Sequence, residues 1–281
     1  MIWQIQGRDF SKIKWLTYFI YFCLTILFSS CNDPKPNNLG VLLPLLVAGS
    51  NNPRTCPPNT IPPNINLAKS IIGGTVSSVS GFTDRNKAIN GICGEGEFAG
   101  SLDVYALDKT GPGSSVTLSF EGTVKNVSGI DFIVFENPFR NSGSTDRYAM
   151  DPAVVEVSRD NINYCGFTLN HDPTPETLNK LTSWSGFAGI HPVLYNMLTN
   201  PLTPDQLFSA TSGSFLLGGG DGFDLANLTT SGACNGALVT NIQTNGFVYV
   251  KITSASERGY TYPHEFNNGS DVDGVVARKI E

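Results

Sequence analysis

Five carboxylates stand where a hard cation could use them. Glu136 closes the apolar run IDFIVFEN, Asp221 and Asp224 lie in GGGDGFDLA, and Asp271 and Asp273 are two residues apart in DVDGVV. Residues two apart in a strand share a face, so the last pair is expected to act together. Acids at strand ends, beside glycines that leave backbone carbonyls accessible, offer the six to eight oxygens in flexible geometry that Ca²⁺ takes. The bland alternative is that they cap turns and solvate a rim. Gly219 to Asp224 also fits one copy of a GGxGxD calcium repeat. That repeat works by stacking tandem copies, and none follows, so a glycine-rich loop is the expectation.

Groups suited to turnover are sparse. His171, His191 and His264 are the three histidines; none lies in HExxH spacing, and no GxSxG elbow occurs. A glycosidase needs only two suitably spaced carboxylates, so that chemistry stays open. His171 beside Asp172 and His264 beside Glu265 read as loop residues. For ligand binding, Trp184 in TSWSGFAGIHP and Tyr260 and Tyr262 in ERGYTYPHEF are the candidates to stack on a sugar ring. Packing of Trp184 onto a core is the competing use.

The six cysteines are Cys23, Cys31, Cys56, Cys93, Cys165 and Cys234. Cys23 falls inside an uncharged run, WLTYFIYFCLTILF, preceded by Arg8, Lys12 and Lys14. Charged then apolar is the order of a secretory signal, here residues 1–30, and the run is shorter than the ~20 apolar residues of a membrane span. Small residues Ser29 and Ser30 then lead to Cys31. Four cysteines remain for an oxidising compartment, which makes two disulfides by any of three connectivities. Pairing neighbours along the chain favours Cys56 with Cys93 and Cys165 with Cys234. No two cysteines have the short C-x₂₋₄-C spacing of a zinc site.

Without residues 1–30 the chain carries 15 basic and 23 acidic residues, a net charge of about −8. An acidic chain with no Lys/Arg cluster lacks the footprint for nucleic acid. Residues 31–65, rich in Pro and Asn, cannot bury apolar area and read as a tether, interrupted by the short apolar LGVLLPLLVAG.

The elements that must position the carboxylates are strands. SVTLSFEGTV (115–124) alternates apolar and polar residues, and IDFIVFEN is nearly continuously apolar, as a strand buried on both faces would be. Residues 153–169 read as two strands about a turn at Asp160 to Asn163, with further strands at 246–256 and 272–280. Short helices are expected only at 173–184 and 204–210. Residues 66–281 are therefore expected to form one all-β domain, an antiparallel β-sandwich with one or two short helices.

Two resemblances add to this reading. LFSSC resembles the lipobox of bacterial lipoproteins in the looser form of spirochaetes, with Phe28 where stricter versions have a smaller residue. It implies cleavage before Cys31, acylation there, and a lipid anchor holding the chain at an outer membrane or cell surface. Asp131 to Asn137, Val155 to Asn163, Gly218 to Ala226 and Asp271 to Val275 together resemble bacterial secreted surface proteins with a galactose-binding-like jelly roll. The tether is similar in composition to those of leptospiral lipoproteins. These resemblances imply a calcium-stabilised module that binds carbohydrate or a host or matrix protein by adhesion. A glycan-acting hydrolase and a structural envelope lipoprotein without a small ligand are the competing classes.

Overall fold

The computed structural model describes residues 56–281 apart from 212–214, 231–232 and 264–267. The expected signal, Cys31 and the tether as far as residue 55 lie outside the described residues. Among the described residues, no helix is long and apolar enough to cross a membrane.

The chain forms an antiparallel β-sandwich. One sheet has the order β1 (Asn66–Leu67), β16 (Gly274–Ala277), β5 (Phe132–Phe135), β12 (Asp221–Phe223). The other runs β13 (Leu228–Thr229), β9 (Tyr164–Phe167), β8 (Ala153–Ser158), β14 (Phe247–Ser254), β4 (Ser115–Val124), β2 (Ser70–Gly73). Three pairs flank them: β15 (Asn268–Val272) on β3 (Tyr105–Asp108), β6 (Phe139–Arg140) on β7 (Tyr148–Ala149), and β10 (Asn170–His171) on β11 (Trp184–Ser185).

Alternation explains how the sheets meet. Val116, Leu118 and Phe120 of β4, Val155 and Val157 of β8 and Val250 and Ile252 of β14 turn inward against Phe132 and Val134 of β5. The intervening Ile133 and Phe135 pack on the opposite side with Val193, Tyr195 and Leu207. Strand β5 is thus buried on both faces, as its unbroken apolar run requires. The turn between β8 and β9 is held by Asp160, whose carboxylate accepts from the backbone N–H groups of Ile162 and Asn163.

Helix α1 (Pro204–Leu207) forms inside the expected 204–210, with Thr203 and Gln206 closing a capping box. The other expected helix, 173–184, is absent apart from a 3₁₀ turn at Leu181–Ser183. Asp172 there accepts from the N–H and hydroxyl of Thr174 and the hydroxyl of Thr177, a local alternative to helical bonding. Helix α2 (Gly236–Asn245) was not signalled by the sequence. Its Thr, Val and Asn content is poor in helix propensity, and it depends on the Asn235 side chain capping Leu238 N–H and on burial of Ile242.

Both disulfides pair neighbours along the chain, Cys56–Cys93 and Cys165–Cys234. The first corrects a boundary. Residues 56–65 were expected to belong to the tether, yet the bridge ties them to the sandwich, and Ile61 and Ile65 pack on its second core.

Candidate functional site: a cluster of three carboxylates

Glu136 follows β5 directly, so its carboxyl is carried by a strand fixed from both sides. Asp151 lies between β7 and β8, and Asp271 lies on β15. Carboxylate oxygens from these three residues all lie within 4.8 Å of one another. Backbone donors fix the central member: Glu136 Oε1 accepts from Asp271 N–H at 2.6 Å and Oε2 from Asn137 N–H at 2.7 Å. Asn268 Nδ2 donates to Asp271 Oδ1 at 3.1 Å. Gly189, at φ +78°, closes one wall: a Cβ there would meet the Asp151 carbonyl at 2.8 Å and Glu136 Oε2 at 3.1 Å.

Three acids this close, one buried and two partly so, oppose one another's ionisation. Burial holds Glu136, only 2 % exposed, well above the usual carboxylate range, and the charges of Asp151 and Asp271 push it further. Asp151 is raised by burial and then by Asp271, with Lys109 as the opposing cation. Burial brings Asp271 to about 6, moderated by hydrogen bonds from the Asn268 and Asn137 amides. Such an arrangement can take up protons or hold a cation, and oxygen-only donors of this hardness would suit Ca²⁺ better than a soft metal.

Of the five expected ligands, Glu136 and Asp271 meet; Asp221, Asp224 and Asp273 do not join them. Asp273 was expected to share a face with Asp271, but β15 ends at Val272 and β16 begins at Gly274, so Asp273 is the residue at which the chain passes from one sheet to another. Fully buried Asp273 accepts instead from Cys93 N–H through Oδ2 at 2.9 Å, and its Oδ1 has no hydrogen-bond partner. Burial first, then the charges of Asp103 and Glu95, raises its pKa well above the ordinary range. Asp221 binds His191 Nδ1 at 2.7 Å and the N–H of Ile190 at 2.9 Å. Asp224 caps a 3₁₀ turn by accepting from Ala226 N–H. Asp151 is the member of the cluster that sequence reasoning missed. Its only signal was an acid immediately before Pro152 at the start of a strand.

The aromatic candidates are also redistributed. Trp184 is 4 % exposed and Tyr262 7 %, so neither offers an open ring face to a sugar. Trp184 Nε1 donates to the Leu178 carbonyl at 2.7 Å, while its ring packs with His171, Phe187 and the partly exposed Tyr260. Tyr262 donates its hydroxyl to the Pro152 carbonyl. These rings close a third core cluster and bury more area there than a surface platform would allow.

No protein-family model matches the chain, and no match is found among curated proteins.

Proposed function

We propose that this chain is a lipid-anchored extracytoplasmic module whose β-sandwich, built as a galactose-binding-like jelly roll, is stabilised by Ca²⁺ and acts by binding a ligand, a carbohydrate or a host or matrix protein. The observation that carries the calcium reading is the convergence of Glu136, Asp151 and Asp271 from three separate segments of the chain. Each acid alone is costly to bury charged, and a divalent ion between them offsets that cost while cross-linking β5, the start of β8 and β15. Binding in place of turnover is favoured by the clustering itself, because acids committed to one ion are not free for general acid or base work.

Location rests on the N-terminal residues: the charged and apolar regions before Cys31, and the Pro/Asn-rich stretch after it, which gives an anchored domain reach. Two disulfides in the domain accord with an oxidising compartment.

The test is thermal unfolding with calcium or with a chelator. Chelation lowers the melting temperature of the native chain, Asp271→Asn and Asp151→Asn abolish most of that sensitivity, and Asp273→Asn leaves it intact. A melting temperature indifferent to chelation, or sensitivity lost in Asp273→Asn and kept in Asp271→Asn, would sink the assignment.

A further inference from the structure

Two adjoining cavities lie beside β12 and β13, of about 510 and 180 Å³, and share Ser185, Gly186, Gly222 and Phe223 as lining. None of the three clustered carboxylates lines either one. The larger runs between Asn170, Asp224, Asn227 and Thr229, with the half-buried ring of Phe167 at its side. The smaller ends at His191 and Asp221. Two acids set aside from the cation cluster are therefore both on this groove.

We infer that this groove is the binding site for a neutral saccharide, a conclusion that rests on the ligand-binding reading above and gives it a place and a chemical class. The volume is within the range of small-molecule sites, roughly 300 to 1,000 Å³. The lining selects the class. Amides, hydroxyls and carboxylates can each pair with sugar hydroxyls, the amides as donor and acceptor and the carboxylates as acceptors. Among the described lining residues there is no Lys or Arg, and the one basic group, His191, is already held by Asp221, so a phosphate, sulfate or uronate would face Asp221 and Asp224 with no cation free to pair with it. A lipid chain would strand those same polar groups without partners.

Several of these groups are already held in place. Asp224 spends one lone pair on the Ala226 N–H cap and keeps acceptor capacity for a ligand. Asp221 takes His191 Nδ1 and the Ile190 N–H, which fixes the imidazole and leaves Nε2 as its remaining polar atom. Asn227 and Asn170 are exposed on the rim, and Phe167 gives the apolar side on which the C–H face of a pyranose can rest. Of the aromatics expected to bind, Trp184 lines the smaller cavity, mostly buried, whereas Tyr260 and Tyr262 line neither.

The experiment applies the full-length chain, in detergent with calcium, to an array of neutral, sialylated and sulfated glycans, and in parallel to a surface coated with glycan-stripped fibronectin. Asp224→Asn retains an N-cap residue while removing the charge, and Asn227→Ala alters only an exposed side chain, so both variants keep the native melting temperature. The expected result is retention on neutral glycans, weakened about tenfold or more in each variant. Neutral-glycan retention unchanged in both variants overturns the groove and leaves saccharide binding standing. Retention only on acidic glycans, or only on stripped fibronectin, overturns the neutral-saccharide class and leaves adhesion standing. Retention on no surface defeats this inference and the ligand-binding reading together.

Discussion

At the scale of single residues, the account turns on which carboxyl groups are charged. Asp271, at about 6 without an ion, and its raised neighbours Glu136 and Asp151 hold protons more tightly in the fold than in the unfolded chain. Their contribution to ion-free stability is therefore full below the ordinary carboxyl range and is lost as pH rises through the raised values. Asp131, raised to about 6 chiefly by burial, adds to that fall whether or not calcium is present. At the proposed site calcium would compete with the protons on the cluster alone, so its stabilising effect would run the other way. We expect the calcium-induced rise in melting temperature to be small at about pH 5 and large at about pH 7.5. An equal rise at both would mean the ion sits elsewhere. The residue scale also shows how far a string of letters reaches. Glu136 and Asp271 were legible as acids at the ends of apolar strands, whereas Asp221 was not legible as a partner of His191, thirty positions away and joined to it only by the fold.

At the scale of elements, strands were easier to read than the irregular segments between them. The period of two in β4 and the unbroken apolar run of β5 carry their burial directly in their composition. Helix α2 carries no such signal because its stability comes from Asn235, Ile242 and the packing of its neighbours. The same reasoning explains Asp273: side-chain alternation holds within a strand and fails where β15 passes into β16. Asp151 escaped because it lies in a connection, whose course no periodicity describes. One connection gives a prediction. Gly189 sits at positive φ with the Asp151 carbonyl and Glu136 Oε2 against the position of a Cβ. Gly189→Ala is expected to cost about 1 to 3 kcal/mol in urea unfolding and to weaken calcium binding with it. Native stability in that variant would show that the wall is looser than its geometry indicates.

At the scale of the whole molecule, the proposal that the domain works outside the cytoplasm rests on the N-terminal residues and accords with the two disulfides. The pairing of neighbouring cysteines was the favoured one of three that their order along the chain allows, while the early start of the packed domain at Cys56 was not legible, since Pro-rich composition resembles a tether even where a disulfide pins it. The anchor has its own check. In detergent-phase partition of membranes from an expressing bacterium, the native chain enters the detergent phase, and Cys31→Ser moves it to the aqueous phase. A native chain found wholly in the aqueous phase would remove the anchor and leave the domain's chemistry untouched. That chemistry is most directly tested in crystals grown with calcium, by anomalous scattering. A single strong peak is expected among Glu136, Asp151 and Asp271, with oxygen ligands at about 2.3 to 2.6 Å. No peak there, or a peak on Asp221, Asp224 or Asp273 in its place, would contradict it.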